Sequence, residues 1–152
     1  MSESDGMSAA FSLDEEVLIR FATPAEMDFL QQDLHVPAQI LERKVVSERI
    51  VVAEWNGSLI GSLEIDYLWS SIPYIALIYV LPSYRLQGVG KAMLDFIELF
   101  LRNKGHDVLY SSAQANEPEP QAWHRQVGFE ECGMIAGINR GGVGEIFFRK
   151  WL

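Results

Sequence analysis

Cysteine is nearly absent from this chain: among 152 residues there is one, Cys132. That excludes a disulfide framework and a cysteine-based zinc site, and it fits a reducing compartment. Histidine is almost as scarce. His35, His106 and His124 stand far apart and show no metal-ligand spacing, so no metal is expected. Basic residues are few, with 12 Lys+Arg against 21 Asp+Glu for a net charge of -9. A nucleic-acid binder carries a basic patch, so that class of partner is set aside. Long hydrophobic runs are missing too. A stretch such as Ile75 to Leu81 falls well short of the ~20 residues that cross a bilayer. Met1 to Ser8 is polar and acidic rather than basic and then apolar, so it does not read as a leader. The expectation is a cytoplasmic chain with neither a membrane nor a nucleic-acid partner.

What is present fits one folded domain. Hydrophobic residues make up 49% and charged residues 22%, which excludes a disordered chain. Residues 1–15 are expected to be flexible, and residues 16–152 to form the domain. An acidic surface favours a cationic partner, although acidity also serves solubility.

The pattern alternates between strands and helices. Glu16 to Ala22 reads as a strand, and Thr23-Pro24-Ala25-Glu26 reads as a capping box opening a helix to about Leu34. Pro37 restarts a helix to Val45. Strands follow at 49–55, 58–68 and 74–81, the first two joined by Asn56-Gly57. The third is apolar on both faces, which places it centrally. Gly90 to Lys104 forms a long helix ended by Gly105. A strand at 108–113, a helix at 120–127 and a hairpin of 129–139 with 143–152 complete the chain. The fold class is α+β, a mixed, mostly antiparallel sheet of six to seven strands with helices on both faces. Cys132, on a strand without a neighbouring base, reads as core. Gly141, Gly142 and Gly144 read as hairpin chemistry.

The most informative stretch runs from Ile78 to Lys91. A strand passes through Leu81-Pro82 into a loop containing Gly88 and Gly90, and the loop opens the long helix. Glycines admit a ligand close to the backbone, and unpaired N–H groups at a helix start attract anions, phosphate above all. Arg85 and Lys91 add positive charge. A nucleotide-binding P-loop would need Gly at position 85 and Ser or Thr at position 92, where this chain has Arg85 and Ala92. The dinucleotide fingerprint fails at Met93.

Arg85-x-x-Gly88-x-Gly90 resembles the acetyl-CoA motif of the GNAT superfamily of N-acetyltransferases. Asn116 and the stretch Ala122-Trp123-His124-Arg125-Gln126-Val127-Gly128-Phe129 are similar to a second segment of that family. The resemblance spans Val17 to Leu152. It implies a sheet splayed at its central strand and acetyl-CoA as co-substrate. It also implies roles for individual residues. The freed backbone at Tyr79, Val80 and Leu81 would hold the pantetheine arm. The N–H groups of Leu86, Gln87, Gly88, Val89, Gly90 and Lys91, with Arg85, would hold the pyrophosphate. Asn116 would contact the pantetheine or a bound water, and Arg125 would lie near the adenosine end. His124 stands where the family has a tyrosine acid that protonates the leaving thiolate. Histidine titrates near 6.5 instead of 10, and a surface helix histidine is the competing reading.

The implied reaction is direct attack of a primary amine on the thioester in a ternary complex. An alkyl ammonium must first lose a proton, at a cost of about 4.6 kcal/mol at pH 7. The strand at 74–81 has no carboxylate to take it. Glu54, Glu64 and Asp66 on the neighbouring strands are the candidates, with Glu64 and Asp66 sharing a strand face. A solvated acidic face is the competing reading. Tyr67, Trp69 and Tyr74 could line an acceptor pocket, with strand packing as the competing reading, and His35 stands in a region that often shapes that site in the family. The acceptor is a small-molecule or protein amine, cationic by the charge argument, and a homodimer is common in the family. A module that holds acyl-CoA as a sensor without turnover is the alternative reading.

Overall fold

The structure is a computed structural model that describes residues 17–32 and 36–152. The segment expected to be flexible, 1–15, and His35 lie outside the described residues. Seven strands hydrogen-bond in the order β1-β2-β3-β4-β5-β7-β6. They are β1 (Val17–Phe21), β2 (Ile50–Trp55), β3 (Ser58–Leu68), β4 (Ile72–Val80), β5 (Val108–Gln114), β6 (Glu130–Ile135) and β7 (Glu145–Trp151). Among the described residues four helices accompany them: α1 (Met27–Leu30), α2 (Ala38–Val46), α3 (Val89–Asn103) and α4 (Pro118–Gln126). The expected mixed, mostly antiparallel α+β sheet is what forms. The chain packs as two units, one of residues up to Glu64 with Leu77–Ile97, the other of Ile65–Ala76 with Glu98–Leu152.

In the first unit β1 and β3 flank β2, both antiparallel, with Val17 opposite Trp55 and Ile50 opposite Glu64. Asn56 and Gly57 both adopt positive φ, which is the two-residue hairpin turn that the dipeptide favours. The Thr23 capping box forms, and Arg20 extends it, donating to Glu26 at 2.6 Å and to Glu54 at 3.0 Å. Burial pushes the Glu26 carboxyl up, but the bonds from Arg20 and Thr23 outweigh it and hold Glu26 below the ordinary carboxylate value.

The helix expected from Thr23 to Leu34 is shorter. A 3₁₀ turn over Pro24–Glu26 leads into the four residues of α1, and the chain turns at Gln31 and Gln32. Gln31-Gln32 interrupts the apolar stripe, so little burial rewards continuing the helix. Leu30, Leu41 and Val45 pack with Ile50 and Val52 on one face of the sheet. On the other face a Cβ at Gly61 would lie 2.9 Å from the Tyr79 carbonyl oxygen and 3.1 Å from Met93 Cε. Only glycine lets α3 and β4 approach β3 this closely.

In the second unit β4 meets β5 in parallel, with Tyr74 opposite Tyr110, and β5 is antiparallel to β7 from Val108–Trp151 to Gln114–Glu145. Helix α3 ends as its glycine predicts. Gly105 takes φ +92°, its N–H bonds to the Arg102 carbonyl, and the His106 N–H bonds to that of Leu101. Glu98 is buried but paired, accepting from Lys150 Nζ at 2.7 Å. β6 pairs with β7 and is exposed along its whole length. Cys132 is therefore exposed, not core: it sits at the bulge between Glu131 and Gly133 on the last strand of the sheet.

Candidate functional site

The glycine loop belongs to the first unit. After Val80 the backbone bends, and the Leu81 N–H bonds to the Ile60 carbonyl at 2.8 Å. Pro82 opens a 3₁₀ turn to Tyr84. Leu86 and Gly88 then take φ +61° and +87°, and α3 begins at Val89. Left-handed residues alternating with their neighbours are the backbone pattern of an anion nest. The Ala92 N–H reaches back to the Gly88 carbonyl at 3.0 Å, so the amides of Val89, Gly90 and Lys91 precede the first closed turn of the helix. Arg85 is exposed; its Nε donates to the Val80 carbonyl at 2.7 Å, and its guanidinium lies over the Tyr79 ring. Lys91 pairs with Asp95 at 2.8 Å, so its charge is shared along the helix. Amides ahead of the first closed turn, positive charge and no side chain at Gly88 or Gly90 fit a pyrophosphate. Strand β4 is less buried than its apolar composition suggests. Ile78, Tyr79 and Val80 are half-buried, which leaves the run before the loop accessible to a ligand.

The same unit holds a pocket of about 100 Å³ between α1 and the sheet, lined by Phe29, Leu30, Ser62, Glu64, Leu77 and Tyr79. Glu64 is not on a solvated face. It is 5% exposed and ion-paired with Lys44 of α2. Gly61 and Ser62 point to opposite faces, so the α3 side of β3 is packed while the α1 side carries the pocket.

The second unit holds Asp66, Asn116, His124 and Arg125. Asn116 lies exposed in the turn between β5 and α4. Arg125 is exposed, 3.5 Å from Glu131 and over the Phe148 ring. His124 is neither a surface residue nor open to a thiolate. It is 3% exposed and stacked on Phe148, with ring centroids 4.8 Å apart. Both nitrogens are engaged, Nε2 at 2.6 Å from Ser111 Oγ and Nδ1 at 2.6 Å from the Pro120 carbonyl. A carbonyl can only accept, so Nδ1 carries the proton and Nε2 accepts from Ser111. Burial lowers the His124 pKa from its ordinary value, with Arg125 acting the same way and the Pro120 bond and Glu145 opposing. The protonated-acid expectation thus meets a neutral, fully bonded imidazole, because α4 turns this position into the core.

The three aromatics expected to line an acceptor pocket take separate places. Trp69 is exposed at a left-handed turn, Tyr67 packs against His106, and Tyr74 stacks on Phe147. Tyr74 also heads a chain of bonds through Ser112 to Glu145 that sequence reading missed. Glu145 is far from Tyr74 along the chain, and only strand register brings them together. Among the described residues no group of three His, Cys, Asp or Glu could hold a metal ion, and no helix is long and apolar enough to cross a membrane.

Comparison with known proteins decides the family. The family model for the acetyltransferase (GNAT) family matches residues 15–129. The chain belongs to that family. The solved structure of yncA of Salmonella typhimurium with its cofactor acetyl-CoA superposes with a TM-score of 0.77 at 18% identity over 91% of this chain and 95% of that one. Ard1 of Thermoplasma volcanium superposes at 0.78, with 18% identity over 90% and 98%. Among sequences, the chain is 28% identical to the S-alkylcysteine N-acetyltransferase of Bacillus subtilis over 96 residues, 56% of this chain and 54% of that protein. It thus spans about half the length of that relative. It is also 28% identical to the aminoglycoside N(6′)-acetyltransferase type 1 of Salmonella typhimurium over 120 residues, 74% of each.

Proposed function

We propose that this protein transfers the acetyl group of acetyl-CoA to a primary amine by direct attack in a ternary complex. The observation that carries the reading is the loop from Arg85 to Gly90, with left-handed residues at 86 and 88 and the start of α3 directly after them. In this reading Gln87 to Lys91 hold the pyrophosphate through backbone N–H groups, with Arg85 beside them. The half-buried run of Tyr79, Val80 and Leu81 takes the pantetheine.

The acceptor enters the pocket beside Glu64. The net charge of -9 favours a cation at long range, but Lys44 already neutralises Glu64 locally. Phe29, Leu30 and Leu77 make the walls largely apolar, and the volume is small. These features favour a compact amine with one nitrogen and an apolar substituent, closer to the S-alkylcysteine in one relative's name than to the aminoglycoside in another's.

Release of free thiol from acetyl-CoA, measured across a panel of amines, tests the reading. Turnover with compact primary amines is expected, and binding of acetyl-CoA without thiol release would favour a sensor instead. Glu64→Gln should raise KM for the amine and leave acetyl-CoA binding unchanged. An unchanged KM would remove Glu64 from the acceptor site.

A further inference from the structure

Two lining groups of the pocket in the first unit attract positive charge strongly, the Glu64 carboxylate and the Tyr79 ring, and each is already engaged by a cation of the chain. Glu64 Oε1 accepts from Lys44 Nζ, and both side chains are nearly closed to solvent. The Arg85 guanidinium lies 5.7 Å from the centre of the Tyr79 ring. The other polar lining groups, Gln32 and Ser62, carry no charge. Phe29, the second ring of the lining, packs against the core cluster that contains Leu41 and Val45.

An ammonium in this space would stand beside one carboxylate and two cations, Lys44 and Arg85. It would also have to shed its water, since the pocket holds only about 100 Å³. Lys44 and Glu64 already form a matched buried pair, and a further positive charge next to them has no counter-charge left. The uncharged form of the same amine meets neither cost. Its N–H groups can still donate to Glu64, and its lone pair stays free for attack.

Resting on the acetyltransferase reading and on entry beside Glu64, we propose that the acceptor enters this pocket as its uncharged free base, and that Lys44, acting through Glu64, is the residue that excludes the ammonium form. The ammonium leaves its proton in bulk water before entry, so β4 needs no carboxylate to take it. The nitrogen lone pair then forms the C–N bond to the thioester carbonyl, the C–S bond breaks, and one N–H proton leaves with the sulfur. One amine and one acetyl-CoA give one amide and one free thiol. The substrate class best served is a weakly basic primary amine, because a lysine-like amine is uncharged in fewer than about one molecule in a thousand at pH 7.

The test follows KM against pH, at saturating acetyl-CoA, for two amines of similar size. Propylamine is an ammonium ion at neutral pH, and 2,2,2-trifluoroethylamine is uncharged there. From about pH 7 to 9 the KM of propylamine should fall about 10-fold per unit as its free-base fraction rises, with kcat flat. The KM of trifluoroethylamine should stay constant, which separates titration of the amine from titration of Glu64, Lys44 or Tyr79. Lys44→Met leaves the charge of Glu64 unbalanced and should admit the ammonium, so the KM of propylamine at pH 7 should drop by ~10-fold or more and lose its slope. Lys44→Gln carries the same expectation where the Met variant fails to fold. Lys44→Met/Glu64→Gln, neutral again, should regain the slope, which a merely structural role for Lys44 would not produce. A constant propylamine KM with a climbing kcat means that the ammonium binds and loses its proton in place, and it overturns free-base entry. A trifluoroethylamine KM that falls in parallel does the same, and Lys44 variants that keep the wild-type slope overturn the role of Lys44. A wild type whose Tm rises with acetyl-CoA but which releases no thiol with either amine overturns the transfer reading, and free-base entry with it.

Discussion

Two stretches carried the family resemblance, and the fold treats them in opposite ways. The loop from Arg85 to Gly90 stays open: Arg85, Leu86 and Gly88 are exposed, and its backbone amides lead into a helix start. The stretch around His124 is closed, its imidazole buried against Phe148 and bonded at both nitrogens. Both match a motif in spacing, although the second departs from it in residue type at His124. What separates them is whether the polar groups already have partners. Amides ahead of a helix's first closed turn can bind something else, whereas a histidine between Ser111 and Pro120 has no bond left to offer.

The largest effect expected from this contrast is on stability. His124→Ala removes a stacked ring and leaves Ser111 without its acceptor, which should cost about 3 kcal/mol. Denaturant titration measures it, and kcat per folded molecule should stay near the wild-type value. A fall of ~10-fold or more in a variant that remains folded would return His124 to the chemistry.

The next effect lies on the open side. Acetyl-CoA at 100 times its Kd should stabilise the wild type by about 2.7 kcal/mol, and Gly90→Val should erase that gain without unfolding the protein. A folded valine variant that still gains stability would break the contrast, since the loop would then not be the binding element.

A smaller effect sharpens the closed side. With its pKa lowered on folding, His124 binds a proton more readily in the unfolded chain. Stability should therefore be full above pH 6.5 and fall as the pH drops below it. His124→Phe should be less stable at pH 8, because Ser111 loses its acceptor, yet show a shallower fall from 6.5 toward 5. Identical slopes would mean that the buried imidazole does not titrate with unfolding. The smallest effect belongs to Cys132, exposed on β6. Cys132→Ser should change stability by no more than about 0.5 kcal/mol, and the native thiol should label stoichiometrically with a maleimide. A thiol that resists labelling until unfolding would place it back in the core.

The legible parts of the fold were those fixed by local chemistry. Asn56-Gly57, Gly105, the Thr23–Glu26 box and β3 from Ser58 to Leu68 appear where their residues predict them. Each rests on a backbone preference or a bond within a few residues. The first helix was overread because periodicity counts Leu34 as part of the apolar stripe although Gln31 and Gln32 interrupt it. Cys132 was misplaced because alternation along a strand does not say whether its outer faces are covered. The candidate site was half legible: the Arg85–Gly90 loop is contiguous in sequence, whereas the pairing of Glu64 with Lys44 is not.

By itself the sequence determined the order of strands and helices, the turns, the family motif and the glycine positions, because each depends on neighbours a few residues apart. Tertiary structure alone decided which polar groups remained available. Lys44 reaches Glu64 from another element, Phe148 covers His124, and the register of β7 on β5 carries Glu145 to Ser112. Burial and hydrogen-bond satisfaction are set by residues distant in the chain, and they fix whether a side chain does chemistry or fills space.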